Sequence, residues 1–161
     1  MKHLLTVLML LAPFIAQSQY LTNRPDIINP IFESIVERGL QEGIQVDLIL
    51  IDRLAEIEVV EETPRKAGAE VVALGKYRAK IYVSERSTQN LQALEWILAH
   101  EIAHVIGIPH CCDSEMCTSL MSRYTSVDPS DLFYQLQGKP EHWKELFSHK
   151  NWHLLQSRVA L

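Results

Sequence analysis

The sequence has no block of like charge, no internal repeat and no low-complexity run. Those absences set aside solenoids and disordered tails. With 161 residues, 47% of them apolar and 22% charged, what remains is one globular domain with its own core. No basic tract is present either. The densest positive stretch is KYRAK, Lys76 to Lys80, in a chain of formal charge −5, so nucleic acid is not an expected partner. That stretch reads as the solvated face of a strand.

No apolar run reaches the roughly 20 residues that a membrane span needs. The longest, Leu4 to Ala16, is broken by Thr6 and Pro13, follows the basic Lys2, and ends in Ala16, Gln17 and Ser18. That order predicts a secretory signal over residues 1–18, cleaved after Ser18, and a single domain over 19–161. Loss of Lys2 takes the charge to −5 − 1 = −6. No cysteine follows the apolar run, so a lipid-modified N-terminus is not expected. The expectation is a secreted or periplasmic protein without stable membrane insertion.

Asn29 and Pro30 predict a helix start, with Ile31, Phe32, Ile35, Val36 and Leu40 at near-helical spacing and Gly43 as the stop. The branched run IQVDLILI, Ile44 to Ile51, predicts a buried central strand. Residues Ile57 to Thr63 extend or pair with it, and TPRKAG is a loop. AEVVAL and RAKIYVSE are two further strands parted by Gly75. In the second, Ala79, Ile81 and Val83 alternate with Lys80, Tyr82 and Ser84, and the lysine suits an edge. A long helix begins at Thr88 or Asn90, carries Leu91, Leu94, Leu98, Ile102 and Val105 on one stripe, and ends at Gly107 and Pro109. A short helix near Asp131 to Leu136, a break at Gly138, and a closing helix from Pro140 with Trp143, Phe147 and Leu154 on its apolar side complete the α+β order.

The chemistry lies in LAHEIAHVIGIPHCCDSEMCTSLMSRY, Leu98 to Tyr124. His100 and His104 are four apart on the predicted helix, so both imidazoles leave the same face on successive turns. Glu101 lies beside that face, within reach of a water at a metal's open position. Gly107 supplies the positive φ that a helix reversal calls for, and His110 returns three residues later as a third ligand. Three protein ligands with one position left for water is the pattern of catalytic rather than structural zinc.

HEIAHVIGIPH matches H-E-x-x-H-x-x-G-x-x-H at every specified position and resembles the zinc signature of the metzincin clan of metallopeptidases. The resemblance implies one catalytic zinc held by His100, His104 and His110, with Glu101 as general base. It also implies a Met-turn beneath the metal, for which Met121 fits better than Met116. The implied fold is a metzincin-like (zincin) catalytic domain: a twisted mixed sheet, an active-site helix at mid-chain and a small C-terminal helical part. A cysteine directly after the third histidine is similar to archaemetzincins, whose later cysteine pair is absent here, so a second zinc is not expected. The Ser-Leu-Met order is similar to matrixins. Tyr124 resembles the Met-turn tyrosine of astacins and serralysins but stands one residue further from Met121.

Cys111, Cys112 and Cys117 are an odd set for an exported protein and imply one disulfide plus one thiol, with Cys117 joined to Cys111 or Cys112. No cysteine precedes the site, so a matrixin-like propeptide thiol has no counterpart, and Asp26 is the acid available to cap the metal in a latent form. His149 and His153 read as the polar face of the closing helix, and His142 has no supporting partner. The function expected is a zinc endopeptidase whose peptide or protein substrate pairs with a strand, Ala79, Lys80, Ile81, Tyr82 and Val83 being the strand expected. Two alternatives stay open: a catalytically silent zinc domain that binds another protein, and a zinc hydrolase of a non-peptide amide.

Overall fold

The computed structural model describes residues 20–111, 119–122 and 139–159. The leader over 1–18, Cys112, Cys117, Met116, Tyr124 and the short helix expected near Asp131 to Leu136, with the break at Gly138, lie outside the described residues. The described part is α+β: a four-stranded mixed sheet and five α-helices.

The first helix, α1 (Pro25–Gln41), begins one turn earlier than Asn29–Pro30 would set it, with Pro25 in its first turn. Starting there lets Ile28 reach full burial. Asn29 does not cap the helix, because its Oδ1 accepts from the Tyr20 hydroxyl at 3.1 Å. Pro30 therefore sits inside the helix. At the far end Gly43, at φ +79, reverses the chain, with Gly43 N–H and Ile44 N–H donating to the carbonyls of Leu40 and Gly39.

The run from Ile44 is not a central strand. It forms a short helix, α2 (Val46–Leu50), followed by a turn. Val46, Ile49 and Leu50 are buried while Leu48 is exposed, a three-and-four spacing that suits a helix. The branched composition favoured strand, but the burial period decides against it.

The strands are β1 (Leu21–Thr22), β2 (Leu54–Val60), β3 (Ala69–Ala73) and β4 (Ala79–Ser84), in sheet order β1-β2-β4-β3. β1, β2 and β4 are parallel, and β3 runs antiparallel to β4. Asn23 continues the short β1 by side chain, donating to the Val59 carbonyl and accepting from Val59 N–H, both at 2.8 Å.

β4 is thus an inner strand, which corrects the edge expected for it. Both of its backbone edges are engaged, so Ala79, Lys80, Ile81, Tyr82 and Val83 have none left for an added substrate strand. Alternation reports how many faces of a strand are buried and says nothing of its neighbours. Lys80 is tolerated there because Glu56 and Glu58 of β2 flank its ammonium, Glu56 at 2.9 Å; the two carboxylates raise its pKa.

After a 3₁₀ turn, Glu85–Gln89, helix α3 (Leu91–Val105) begins at Asn90, whose side chain accepts from Ala93 N–H. Such a cap is worth about 1 kcal/mol. Residues from Ala93 to Ala103 are buried apart from Glu95, because α1 and the strands β3 and β4 pack against α3. The closing segment is two helices, α4 (Pro140–Ser148) and α5 (Lys150–Val159), not one. The break at His149 rotates the buried face, so Trp152 is buried and Leu154 is exposed. Arg38 of α1 links this segment to the core: its guanidinium pairs with Glu95 of α3 at 3.0 Å and lies 4.4 Å from the Trp143 ring centre. Among the described residues no helix is long and apolar enough to cross a membrane.

Candidate metal centre

α3 ends in a double backbone reversal. Ile108 N–H donates to the Ala103 carbonyl at 3.0 Å and Gly107 N–H to the His104 carbonyl at 2.9 Å, with Gly107 at φ +79. This is a six-to-one, five-to-two cap that a side chain at Gly107 would strain. It turns the chain back along the helix, so that His110 meets the histidines of the last two turns.

The three side chains converge. His104 Nε2 lies 2.9 Å from His100 Nε2 and 3.2 Å from His110 Nε2. His100 Nδ1 is 2.7 Å from the Leu120 carbonyl and His104 Nδ1 is 2.8 Å from the Ile108 carbonyl. A carbonyl only accepts, so each Nδ1 carries the proton and each Nε2 presents a lone pair. Burial holds His100 neutral, lowering its pKa to about 4, and it lowers that of His104 as well. Two neutral nitrogens with lone pairs 2.9 Å apart repel unless a cation lies between them. An ion bound as zinc is, at about 2.05 Å in tetrahedral geometry, sets its ligands roughly 3.3 Å apart. The trio is fit to hold a metal ion, and among the described residues it is the one group of three or more His, Cys, Asp or Glu side chains that could.

Glu101 follows His100 and is buried. The backbone N–H of Val71 on β3 favours the charged form of its carboxyl, yet burial outweighs that influence and, with the charge of Glu70 nearby, raises its pKa to about 7. Val71 belongs to an open edge of the sheet. Ser84 N–H donates to the Gly68 carbonyl and Leu74 N–H to the Arg78 carbonyl, so the even-numbered residues of β3 face β4. Ala69, Val71 and Ala73 turn their backbone groups outward, where no strand pairs with them among the described residues.

Met121 is buried in a turn beneath this framework. Ser122 N–H returns to the Ser119 carbonyl, Met121 N–H donates to Ser119 Oγ, and the Met121 carbonyl accepts from Cys111 N–H at 3.0 Å. Leu120, one residue earlier, supplies the carbonyl that orients His100. Cys111 is disulfide-bonded; Cys112 and Cys117 lie outside the described residues.

The structure separates other residues from this centre. Asp26 pairs with Arg24 at 3.1 Å on the first turn of α1 and is not in the metal-fit group. His149 is not on a helix face: it stands at the α4–α5 break, where its Nδ1 accepts from Asn151 N–H. His153 is exposed and His142 is buried. Three contributors escaped the sequence reading, namely the Leu120 carbonyl, the Val71 N–H and the Asn151 amide, which donates to the carbonyls of Ile106 and Gly107. The first two are backbone groups, silent in side-chain patterns. Asn151 fell inside what the sequence read as one closing helix, where an amide signals no such contact.

Comparison of the chain with protein-family models, with curated proteins and with solved structures yields no match.

The raised pKa of Glu101 has a measurable consequence in the metal-free protein. A carboxyl at about 7 in the folded state, against the ordinary 4.5 when unfolded, binds more protons folded than unfolded between those values. Its contribution is fully present below 4.5 and is lost as pH rises through 7. Urea unfolding of metal-free wild type and Glu101→Gln should therefore show the variant gaining stability relative to wild type from pH 4.5 to 7. A difference that stays flat or runs the other way contradicts the burial assigned to this acid.

Proposed function

We propose that the protein is an exported zinc-dependent endopeptidase of the metzincin type. The observation that carries this reading is the convergence of three imidazoles, two of them held neutral by burial, beside a buried carboxyl. What supports the metal's identity is the donor set, since imidazole nitrogens without a thiolate or a carboxylate suit zinc with an open fourth position. What supports the clan is HEIAHVIGIPH folded as helix, glycine reversal and returning histidine, with a buried methionine in the turn that orients His100. Export rests on the N-terminal residues 1–18.

Glu101 has the basicity for the proton transfers. With its carboxyl near the middle of the physiological range, it accepts a proton from the attacking water and releases it to the departing amine nitrogen. The chemistry a bound zinc ion supplies is Lewis acidity, which acidifies that water and polarises the scissile carbonyl. His100 and His104 keep their Nδ1 protons on backbone carbonyls, which fixes the rings and raises their strength as donors. A purely structural metal site has no need for a base next to the ligands, and this favours an enzyme over a silent binding domain.

The substrate strand is reassigned to β3. A peptide laid along Ala69, Val71 and Ala73 pairs its backbone with the outward-facing groups, whatever its side chains. The same edge carries the Val71 N–H whose field acts on Glu101, so the peptide's backbone is delivered near the base.

Two outcomes are expected. Glu101→Ala keeps one zinc ion per chain by elemental analysis and loses about 10²- to 10⁴-fold in cleavage of a mixed peptide library. A wild type that holds zinc and cleaves no peptide moves the reading to a silent domain or to a non-peptide amide. Ala73→Pro removes an outward N–H without touching the pairing with β4, so the protein folds and KM for peptides rises. An unchanged KM in the folded variant counts against β3 as the docking edge.

A further inference from the structure

We propose that Asn151 is a positioning residue for the metal centre, acting through the C-terminal cap of α3 to hold His104 and His110 in place. The inference rests on the metal-centre reading above and concerns a side chain with no ligating role.

A helix leaves its last carbonyls without intrahelical partners. In α3 the reversal at Gly107 satisfies the carbonyls of Ala103 and His104. Those of Ile106 and Gly107 lie beyond that motif, and both meet Asn151 of α5, whose Nδ2 donates to them at 3.0 and 3.1 Å. An amide nitrogen has two hydrogens, and here it faces two acceptors, so the orientation of the side chain is determined.

The next carbonyl along is that of Ile108, which accepts from His104 Nδ1 at 2.8 Å. Rotation of the backbone over residues 106–108 would carry this acceptor away, release the His104 ring, and displace His110 two residues on. Gly107, at φ +79, lacks the Cβ that would resist such rotation. The cap bonds hold the N–H groups of Gly107 and Ile108, and Asn151 adds the restraint on the carbonyls of Ile106 and Gly107 from outside the loop. Asn151 is in turn seated at the start of α5, its own N–H donating to His149 Nδ1 at 3.2 Å, next to the fully buried Trp152.

α5 carries a second amide contact that serves as the control. Gln156 accepts from Gln45 N–H at 2.7 Å and donates to Gln45 Oε1 at 3.0 Å. It fastens the helix to the start of α2 and makes no bond to the α3 cap.

The test is titration of the metal-free full protein with cobalt(II), followed by visible absorption, so that the readout is affinity and coordination rather than activity. Asn151→Ala is expected to weaken cobalt binding about tenfold or more, the usual effect of an outer-shell partner. Asn151→Asp keeps the shape, turns an acceptor toward two carbonyls, and weakens binding at least as much. Gln156→Ala also loosens α5 and is expected to bind within about twofold of wild type, as a site remote from the cap should. Wild-type affinity in the folded Asn151→Asp protein overturns the proposal. Equal weakening in Gln156→Ala also overturns it, because general loosening of α5 then accounts for the effect. Wild-type protein that takes up no cobalt overturns the metal centre itself, and the role of Asn151 with it.

Discussion

Two backbone carbonyls decide the protonation of the centre. The Leu120 carbonyl takes the Nδ1 proton of His100 and the Ile108 carbonyl takes that of His104. With those protons committed, the Nε2 atoms are left as bare donors at 2.9 Å from one another, that of His104 also 3.2 Å from His110 Nε2. Burial closes the other escape, protonation, by lowering the pKa of both histidines. The lone pairs are held together by the fold although they repel, and a cation relieves that repulsion.

Much of the architecture follows from keeping those carbonyls still. Leu120 lies in a turn closed by Ser119 and stitched to Cys111 through Met121. Ile108 follows a glycine reversal whose outer carbonyls are held by α5. From Ala93 to Ala103, α3 is buried but for Glu95, so the histidines of its last turns inherit the rigidity of the domain. Glu101 is buried under the electrostatic influence of the Val71 N–H on the edge strand β3. The three imidazoles and the buried carboxyl of Glu101 thus lie in the second half of one largely buried helix and its cap.

The sequence made the donors legible because they are written locally. His100, Glu101, His104, Gly107 and His110 fall within one helix and its cap, where spacing fixes geometry. Met121 was legible through the resemblance, and the Asn90 cap through its residue type. What spacing does not carry is who pairs with whom. Ala79 to Val83 alternate as a half-buried strand should, yet nothing in that alternation tells an inner strand from an edge, and the ion pairs of Lys80 with Glu56 and Glu58 depend on a neighbour over 20 residues away in sequence. Ile44 to Ile51 misled through composition: Val46, Ile49 and Leu50 carry the helical period in plain view, but branched side chains suggested strand. The closing segment misled differently, since a single break at His149 exchanges Leu154 for Trp152 on the buried face.

The central claim is that three imidazoles, and no sulfur, hold one metal ion. X-ray absorption at the zinc edge, on protein refolded with zinc and freed of excess, tests it most directly. The account predicts one zinc per chain with a first shell of nitrogen and oxygen at about 2.0 Å, imidazole outer-shell scattering from three rings, and no sulfur at about 2.3 Å. A sulfur shell, which would draw the cysteines after His110 into the site, or a protein that retains no zinc, would contradict it.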